Sequence, residues 1–124
     1  MKIVEFILDR ITEEEGLAER ALDHMPLVSI SDAGPGEAVS PIAEFVGHWN
    51  PWRVLSLCVL QRHIVMTHRP LLDEAGRMRC GTCDDPGAGS WPCASMLLLA
   101  NEWAEHPEFR AEWALHRRRL LAAV

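Results

Sequence analysis

The sequence predicts an all-α protein of about four helices, stapled by a structural zinc-binding loop. Apolar residues recur at helical spacing in several stretches, and three of the four cysteines gather in one segment rich in Gly and Asp. A length of 124 residues is enough for one compact domain and too short for two. A hydrophobic share of 48% excludes disorder over most of this length. We therefore expect a single helical zinc-binding domain over residues 1–124.

The first helix is predicted over residues 2–23, where apolar and charged residues alternate at helical spacing. The segment Thr12-Glu13-Glu14-Glu15 also fits a capping box, which would restart the helix near Thr12. We favour one continuous helix because Ile11 and Glu14 still fit its two faces. The apolar positions are Ile3, Phe6, Ile7, Ile11, Leu17, Ala18, Ala21 and Leu22.

An irregular loop is predicted at about residues 26–50, because Ser, Asp, Gly and Pro interrupt every periodic pattern there. Within this loop, residues 28–30 and 43–46 are apolar enough for short extended or helical pieces.

The second helix is predicted from Pro51 to about His68. Asn50 suits the N-cap position and Pro51 suits the first turn, while Pro70 prevents the helix from continuing far. Its apolar residues cover more than one face, so we expect this helix to be the central one of the domain.

Two further helices are predicted towards the end of the chain. One runs from about Cys93 to Glu105, where His106-Pro107 breaks it, and Pro107 can begin the last helix. One side of that last helix would carry Phe109, Trp113, His116 and Leu120.

Metal-binding residue types are concentrated between the second and third predicted helices. Two thiolates two residues apart can grip one tetrahedral ion, and Gly81 relieves crowding in the turn between them. A third thiolate enters at the start of a helix, where the helix dipole favours its anionic form. Three thiolates and one imidazole leave no position for water, so the spacing predicts a structural zinc ion and not a catalytic one. The predicted ligands are His68, Cys80, Cys83 and Cys93.

The fourth ligand has two alternatives to His68. His48 precedes the central helix and could substitute for it, while Cys58 would give an all-cysteine site and an iron–sulfur cluster. Because Cys58 lies inside the apolar helix, a buried free thiol is the simpler interpretation. A thioredoxin-like redox pair at Cys80 and Cys83 lacks the strand–helix context of that chemistry.

Three stretches of the chain follow one another in a specific order: an amphipathic helix with an acidic end at residues 6–21, the segment 48–70 with Pro51-Trp52-Arg53, and the segment 91–113 with Trp91-Pro92-Cys93. With these stretches the chain resembles a family of small uncharacterised proteins found in actinobacteria and their bacteriophages. The resemblance implies such a source and a Cys/His metal knuckle, and it implies no reaction.

No catalytic set accompanies these motifs, so we expect a non-enzymatic binding or regulatory protein that acts through a protein partner. A phage-encoded protein of this kind would modulate a host protein. Trp49 and Trp52 are candidate anchors for the partner, although large aromatic side chains are usually buried. The chain is expected to be a monomer or a homodimer.

Charge and hydropathy limit the other classes of function. A formal charge of −6 argues against a general phosphate-binding surface, and Arg117-Arg118-Arg119 reads as the basic end of a helix. The alternatives are a nucleic-acid-binding zinc module that uses this run with Arg77 and Arg79, and a cysteine-based redox or iron–sulfur sensor. No apolar run approaches the roughly 18 residues of a membrane span, and early charges exclude a signal-peptide core, so we expect a cytoplasmic protein.

Overall fold

The computed structural model describes residues 2–24, 40–83 and 91–115. In these ranges the chain is mostly helical, with one small two-stranded antiparallel sheet, and no helix there is long and apolar enough to cross a membrane. The α-helices are α1 (Ile3–His24), α2 (Pro41–His48), α3 (Pro51–Thr67) and α4 (Ala94–Ala100). The remaining elements are strands β1 (Pro70–Leu72) and β2 (Met78–Cys80) and the 3₁₀ turns Asn101–Trp103 and Ala111–Trp113.

The hydrophobic core lies between α1, α3 and α4. Phe6, Ile7 and Ile11 on one face of α1 are fully buried, as their helical spacing predicts. The residues that meet them from the other elements include Cys58, Val65, Met96, Leu99, Ala100 and Trp113.

Helix α1 is continuous, which confirms the preferred interpretation of its sequence. The hydroxyl of Thr12 donates to the carbonyl of Leu8 at 2.9 Å, so it bonds back into the same helix and does not cap a new one.

The second predicted helix is confirmed as α3, but its expected place at the centre of the domain is wrong, because only one of its faces is buried. The side chain of Asn50 accepts a hydrogen bond from the backbone N–H of Arg53 at 3.0 Å, and Pro51 occupies the first turn. Helix α3 packs mainly against α1 and also against α4. Only one face is used in this packing, and Val59 on the opposite side is 68% exposed.

In the second half of the irregular loop predicted at residues 26–50, the short helical piece allowed at residues 43–46 is present and extends to the whole of α2. Ser40 caps α2 by accepting a hydrogen bond from the N–H of Ala43 at 3.1 Å, and Pro41 begins the helix. Ser and Pro are typical of loops and also of helix starts, so composition alone favoured the loop. None of the α2 residues is buried, so no periodic core face marked this helix in the sequence. Residues 25–39 lie outside the described residues.

The all-α class is wrong at the hairpin of β1 and β2. Pro70 pairs with Cys80 and Leu72 pairs with Met78. The turn places Gly76 at a φ of 77°, which glycine adopts without steric cost, and the carboxylate of Asp73 accepts a hydrogen bond from the N–H of Arg77 at 2.8 Å. Strands of three residues are too short for an alternating pattern to be visible in the sequence.

The third predicted helix is shorter than expected, and the last one is wrong within the described residues. Helix α4 ends at Ala100 and tightens into the 3₁₀ turn Asn101–Trp103, whereas residues 107–110 are not helical and only Ala111–Trp113 forms a 3₁₀ turn. His116 and Leu120, which were placed on the last helix, lie outside the described residues.

Phe109 and Trp113 nevertheless reach the core by another route. Their ring centroids lie 6.0 Å and 5.1 Å from that of Phe6 on α1. Beside them the guanidinium of Arg10, which is 5% exposed, donates to the ring of His106. It also pairs with two carboxylates, those of Glu13 at 3.0 Å and Glu108 at 3.3 Å. A buried cation requires such partners, and here they fasten the segment after α4 to α1.

Replacing Phe6 with Ala should lower the free energy of unfolding by about 3–5 kcal/mol, because it removes a fully buried ring and leaves a cavity beside Phe109 and Trp113. The matched control is Val59→Ala on the exposed side of α3, which should change this free energy by less than about 0.5 kcal/mol. Urea unfolding followed by circular dichroism measures both variants. If the two variants lost the same free energy of unfolding, that result would contradict this assignment of the core.

Candidate metal centre

Three elements begin or end at one point and bring four donor side chains together there. His68 is the C-cap residue of α3, where its N–H donates to the carbonyl of Ile64 at 3.0 Å. Cys80 is the last residue of β2, and Cys83 follows in the next turn. Cys93 is the N-cap residue of α4. The donor atoms of the four predicted ligands all lie within 4.8 Å of one another.

The turn after β2 is held against the end of α3 by two hydrogen bonds. The N–H of Gly81 donates to the carbonyl of Arg69 at 2.9 Å, and the hydroxyl of Thr82 donates to the carbonyl of Thr67. A Cβ atom at Gly81 would lie 2.8 Å from Cδ1 of Leu71, so any larger residue would have to displace that side chain. The sequence indicated the role of Gly81, but no pattern in it marked Thr82.

The Nδ1 atom of His68 is nearly equidistant from three sulfur atoms. It lies 3.4 Å from Sγ of Cys80, 3.5 Å from Sγ of Cys83 and 3.6 Å from Sγ of Cys93. One ring nitrogen offers a single hydrogen or a single lone pair, so hydrogen bonds cannot satisfy all three contacts at once. A tetrahedral ion with metal–sulfur bonds of about 2.3 Å and a metal–nitrogen bond of about 2.0–2.1 Å requires nitrogen–sulfur separations of about 3.5–3.6 Å. The arrangement is therefore compatible with a metal ion at its centre.

Burial and hydrogen bonding give the thiols of Cys80 and Cys83 different proton affinities. Burial by itself would raise the pKa of Cys80, but N–H groups of Cys83 and Thr82 and the side chain of His68 outweigh it and lower this pKa to about 6. The side-chain hydrogen bond to Cys80, then burial, then Cys93 raise the pKa of Cys83 to about 11. The hydrogen bond between the two thiols thus favours the ionised form of Cys80 and the protonated form of Cys83.

The two alternative fourth ligands lie elsewhere. Cys58 is fully buried, with its Sγ 4.0 Å from the carbonyl of Ile11. Its pKa is raised by burial and then by the charges of Glu14 and Glu15, so it is a neutral thiol, as the simpler interpretation predicted. His48 is an exposed residue at the end of α2 and does not join the cluster.

Trp49 and Trp52 are exposed, although large aromatic side chains are usually buried. Trp49 is 45% exposed and Trp52 is 58% exposed. The ring of Trp49 is covered on one side by the guanidinium of Arg53, 4.5 Å from the ring centroid, which accounts for the smaller exposure of Trp49.

Only some of the basic residues of the nucleic-acid alternative lie among the described residues. Arg77 and Arg79 are exposed on the hairpin, and Nε of Arg77 lies 4.0 Å from the carboxylate of Asp73. The run at residues 117–119 lies outside the described residues.

The fold and the site together define a small, mostly helical protein with one cluster of three cysteines and one histidine. The chain belongs to the family of unknown function DUF6221, whose profile matches residues 1–115. This match confirms the resemblance to a family of uncharacterised proteins, and all four donor residues lie inside the matched range. Comparison with curated proteins and with solved structures gives no match.

Proposed function

We propose that the chain is a small non-enzymatic protein that is stabilised by one zinc ion and acts by binding a protein partner. The observation that carries the zinc assignment is the near-equal separation of His68 Nδ1 from three cysteine sulfurs, at 3.4–3.6 Å. Three thiolates and one imidazole are a ligand set that zinc prefers, and they fill its four tetrahedral positions.

A filled coordination shell gives the ion a structural role. A catalytic zinc keeps a position for water or substrate, and this donor set leaves none. The ion would join the end of α3, the hairpin and the start of α4, and within the two three-residue strands only Cys80 is buried. Zinc would therefore replace apolar burial that a domain of this size lacks.

The partner surface is assigned to the corner between α2 and α3. Its large apolar side chains are 45–77% exposed, and a cluster of this kind, with charged residues such as Glu44 and Arg53 at its edge, is typical of a protein-binding surface. We call this surface the α2 corner, and it consists of Ile42, Phe45, Val46, Trp49 and Trp52.

The purified protein should contain one zinc ion per chain and show no visible absorption, because zinc has a filled d shell. Cys83→Ser and His68→Ala should each lose most of the metal, since each removes one of the four donors. Elemental analysis measures the metal, and circular dichroism measures the fold.

The matched control for these variants is Cys58→Ala, which removes a buried thiol outside the cluster and should keep the full zinc content. A coloured protein that contains iron, or a protein with no metal and reactive thiols at Cys80, Cys83 and Cys93, would overturn the zinc assignment.

Zinc affinity should rise with pH. The Cys80 thiol, with a pKa of about 6, is already ionised at pH 7. The Cys83 thiol, with a pKa of about 11, must release its proton to solvent when the ion binds. Each proton released makes binding about tenfold tighter per pH unit, so we expect a rise of about tenfold or more per unit between pH 7 and 8.5. Competition with a chelator of known pH dependence measures this slope. An affinity that does not change over this range would contradict binding through these thiols.

Trp52→Glu should abolish partner binding without unfolding the protein. Trp52 is 58% exposed in the first turn of α3, where a negative charge also suits the helix dipole. In affinity capture from cell lysate, this variant should retain at least about tenfold less of the specific partner than the unmodified chain, because exposed tryptophans are typical binding hot spots. The control is Leu72→Glu on the hairpin, at a side chain 70% exposed, which should capture as much as the unmodified chain. Equal capture by the two variants would exclude the α2 corner.

A further inference from the structure

A groove of about 590 Å³ runs between the second half of α1 and the first half of α3. Much of its lining is apolar and includes Leu17, Ala21, Val54 and Leu57. The volume lies within the range of 300–1,000 Å³ that is usual for sites of small organic ligands. None of the four metal donors lines it, and of the α2 corner only Trp49 does, so a small-molecule site here goes beyond the proposed function.

One end of the groove carries two carboxylates, those of Glu14 and Glu102. Each accepts one hydrogen bond from a neutral donor: Glu14 from the indole N–H of Trp103 at 2.8 Å, and Glu102 from the amide of Gln61 at 2.7 Å. Among the residues that the structure describes, neither carboxylate forms a salt bridge. Two like charges therefore lie at one end of a groove without a cation between them.

A buried oxygen atom of Gln61 is a second indication that this end of the groove lacks a hydrogen-bond donor. Its side chain lines the groove and is only 7% exposed, yet its Oε1 atom is buried and no described group donates to it. Buried acceptors in folded proteins are almost always satisfied, and an unsatisfied one destabilises the fold. The acidic end therefore has more acceptors than donors.

The excess of acceptors at the acidic end also affects the pKa of Glu102. Burial, and after it the charge of Glu14, raises the pKa of Glu102 above its usual value. Its ionised form is therefore disfavoured in the free protein, and a positive charge at this end would favour it.

We propose that this groove is a binding site for an organic cation with an apolar body, such as an alkyl ammonium or alkyl guanidinium group. The apolar body lies on Leu17, Ala21 and Leu57, where it covers surface that is otherwise in water. The cationic head lies between the carboxylates of Glu14 and Glu102 and brings N–H groups to the acceptors at the acidic end. Such a ligand supplies the charge and the donors that the groove lacks.

The test uses the full-length metal-loaded protein and n-hexylguanidinium as the probe, with NMR spectra of the tryptophan indole N–H groups as the readout. The indole resonance of Trp103 should shift in a saturable manner, because this N–H donates to Glu14 at the site of the cationic head. A ligand of this size should bind with a dissociation constant on the order of 1 mM. Guanidinium, n-hexanol and n-hexanoate, which lack the apolar body, the charge or the correct sign of charge, should each bind at least about tenfold more weakly.

Two variants separate a binding role of Glu102 from a structural one. Glu102→Gln keeps the acceptor for Gln61 and removes the charge, so it should weaken n-hexylguanidinium binding about tenfold. Glu74→Gln in the hairpin turn, an exposed carboxylate outside the groove, should leave binding unchanged.

In the absence of the probe, Glu102→Gln should raise the unfolding temperature at neutral pH. A carboxyl group with a raised pKa in the folded state favours folding when protonated and disfavours it when ionised, so the gain should vanish as the pH falls through that pKa. A variant that is more stable and binds less is the result that a purely structural role would not produce.

Two results would overturn the proposal: n-hexylguanidinium that binds no better than n-hexanoate, or binding that is equal in Glu102→Gln and in the unmodified chain. Neither result affects the zinc centre, whose metal content is measured separately.

Discussion

The closeness of three sulfur atoms and one imidazole nitrogen, all within 4.8 Å of one another, is the constraint on which the rest of the structure depends. Thiolates at such separations repel one another strongly in a partly buried site, unless a cation lies between them. The donors come from the end of α3, the hairpin and the start of α4, so their meeting point fixes three elements at once. Strands of three residues cannot hold a hairpin in place by themselves. The position of the hairpin therefore follows from the donors it carries.

Helix α1 contributes no donor to the metal centre and is held by other means. Its apolar face forms much of the core, and two successive acidic residues join it to other parts of the chain. Glu14 accepts from Trp103, and Nε of Arg62 on α3 donates to Glu15 at 2.9 Å, whereas Glu13 pairs with the buried Arg10 within α1 itself. These contacts place one exposed flank of α1 beside α3, where the groove lies.

Sequence patterns predicted the features that depend on residues close together in the chain. Helices α1 and α3 are long enough to show periodicity, Asn50 and Pro51 mark a helix start, and the cysteine spacing marks the metal donors. The other features left no such trace. Helix α2 buries nothing, the strands are too short for alternation, and the segment after α4 reaches Phe6 without forming a helix. The groove could not be predicted from the sequence, because Glu14, Gln61 and Glu102 come from three elements and no local motif joins them.

On the proposals above, the metal centre would stabilise the fold and the acidic end of the groove would weaken it, and this contrast bears on function. The four donors form a closed set in which each atom can have its partner, as expected of a site that supports the fold. The acidic end of the groove has an unsatisfied buried acceptor and a carboxyl group whose ionisation is disfavoured, and both features weaken the free protein. Polar groups that reduce stability are concentrated at binding sites, because a ligand satisfies there what the free protein leaves unpaired. The proposed ion at the end of α3 would then support the same helix whose first half lines the groove, and a cationic ligand would correct the imbalance there.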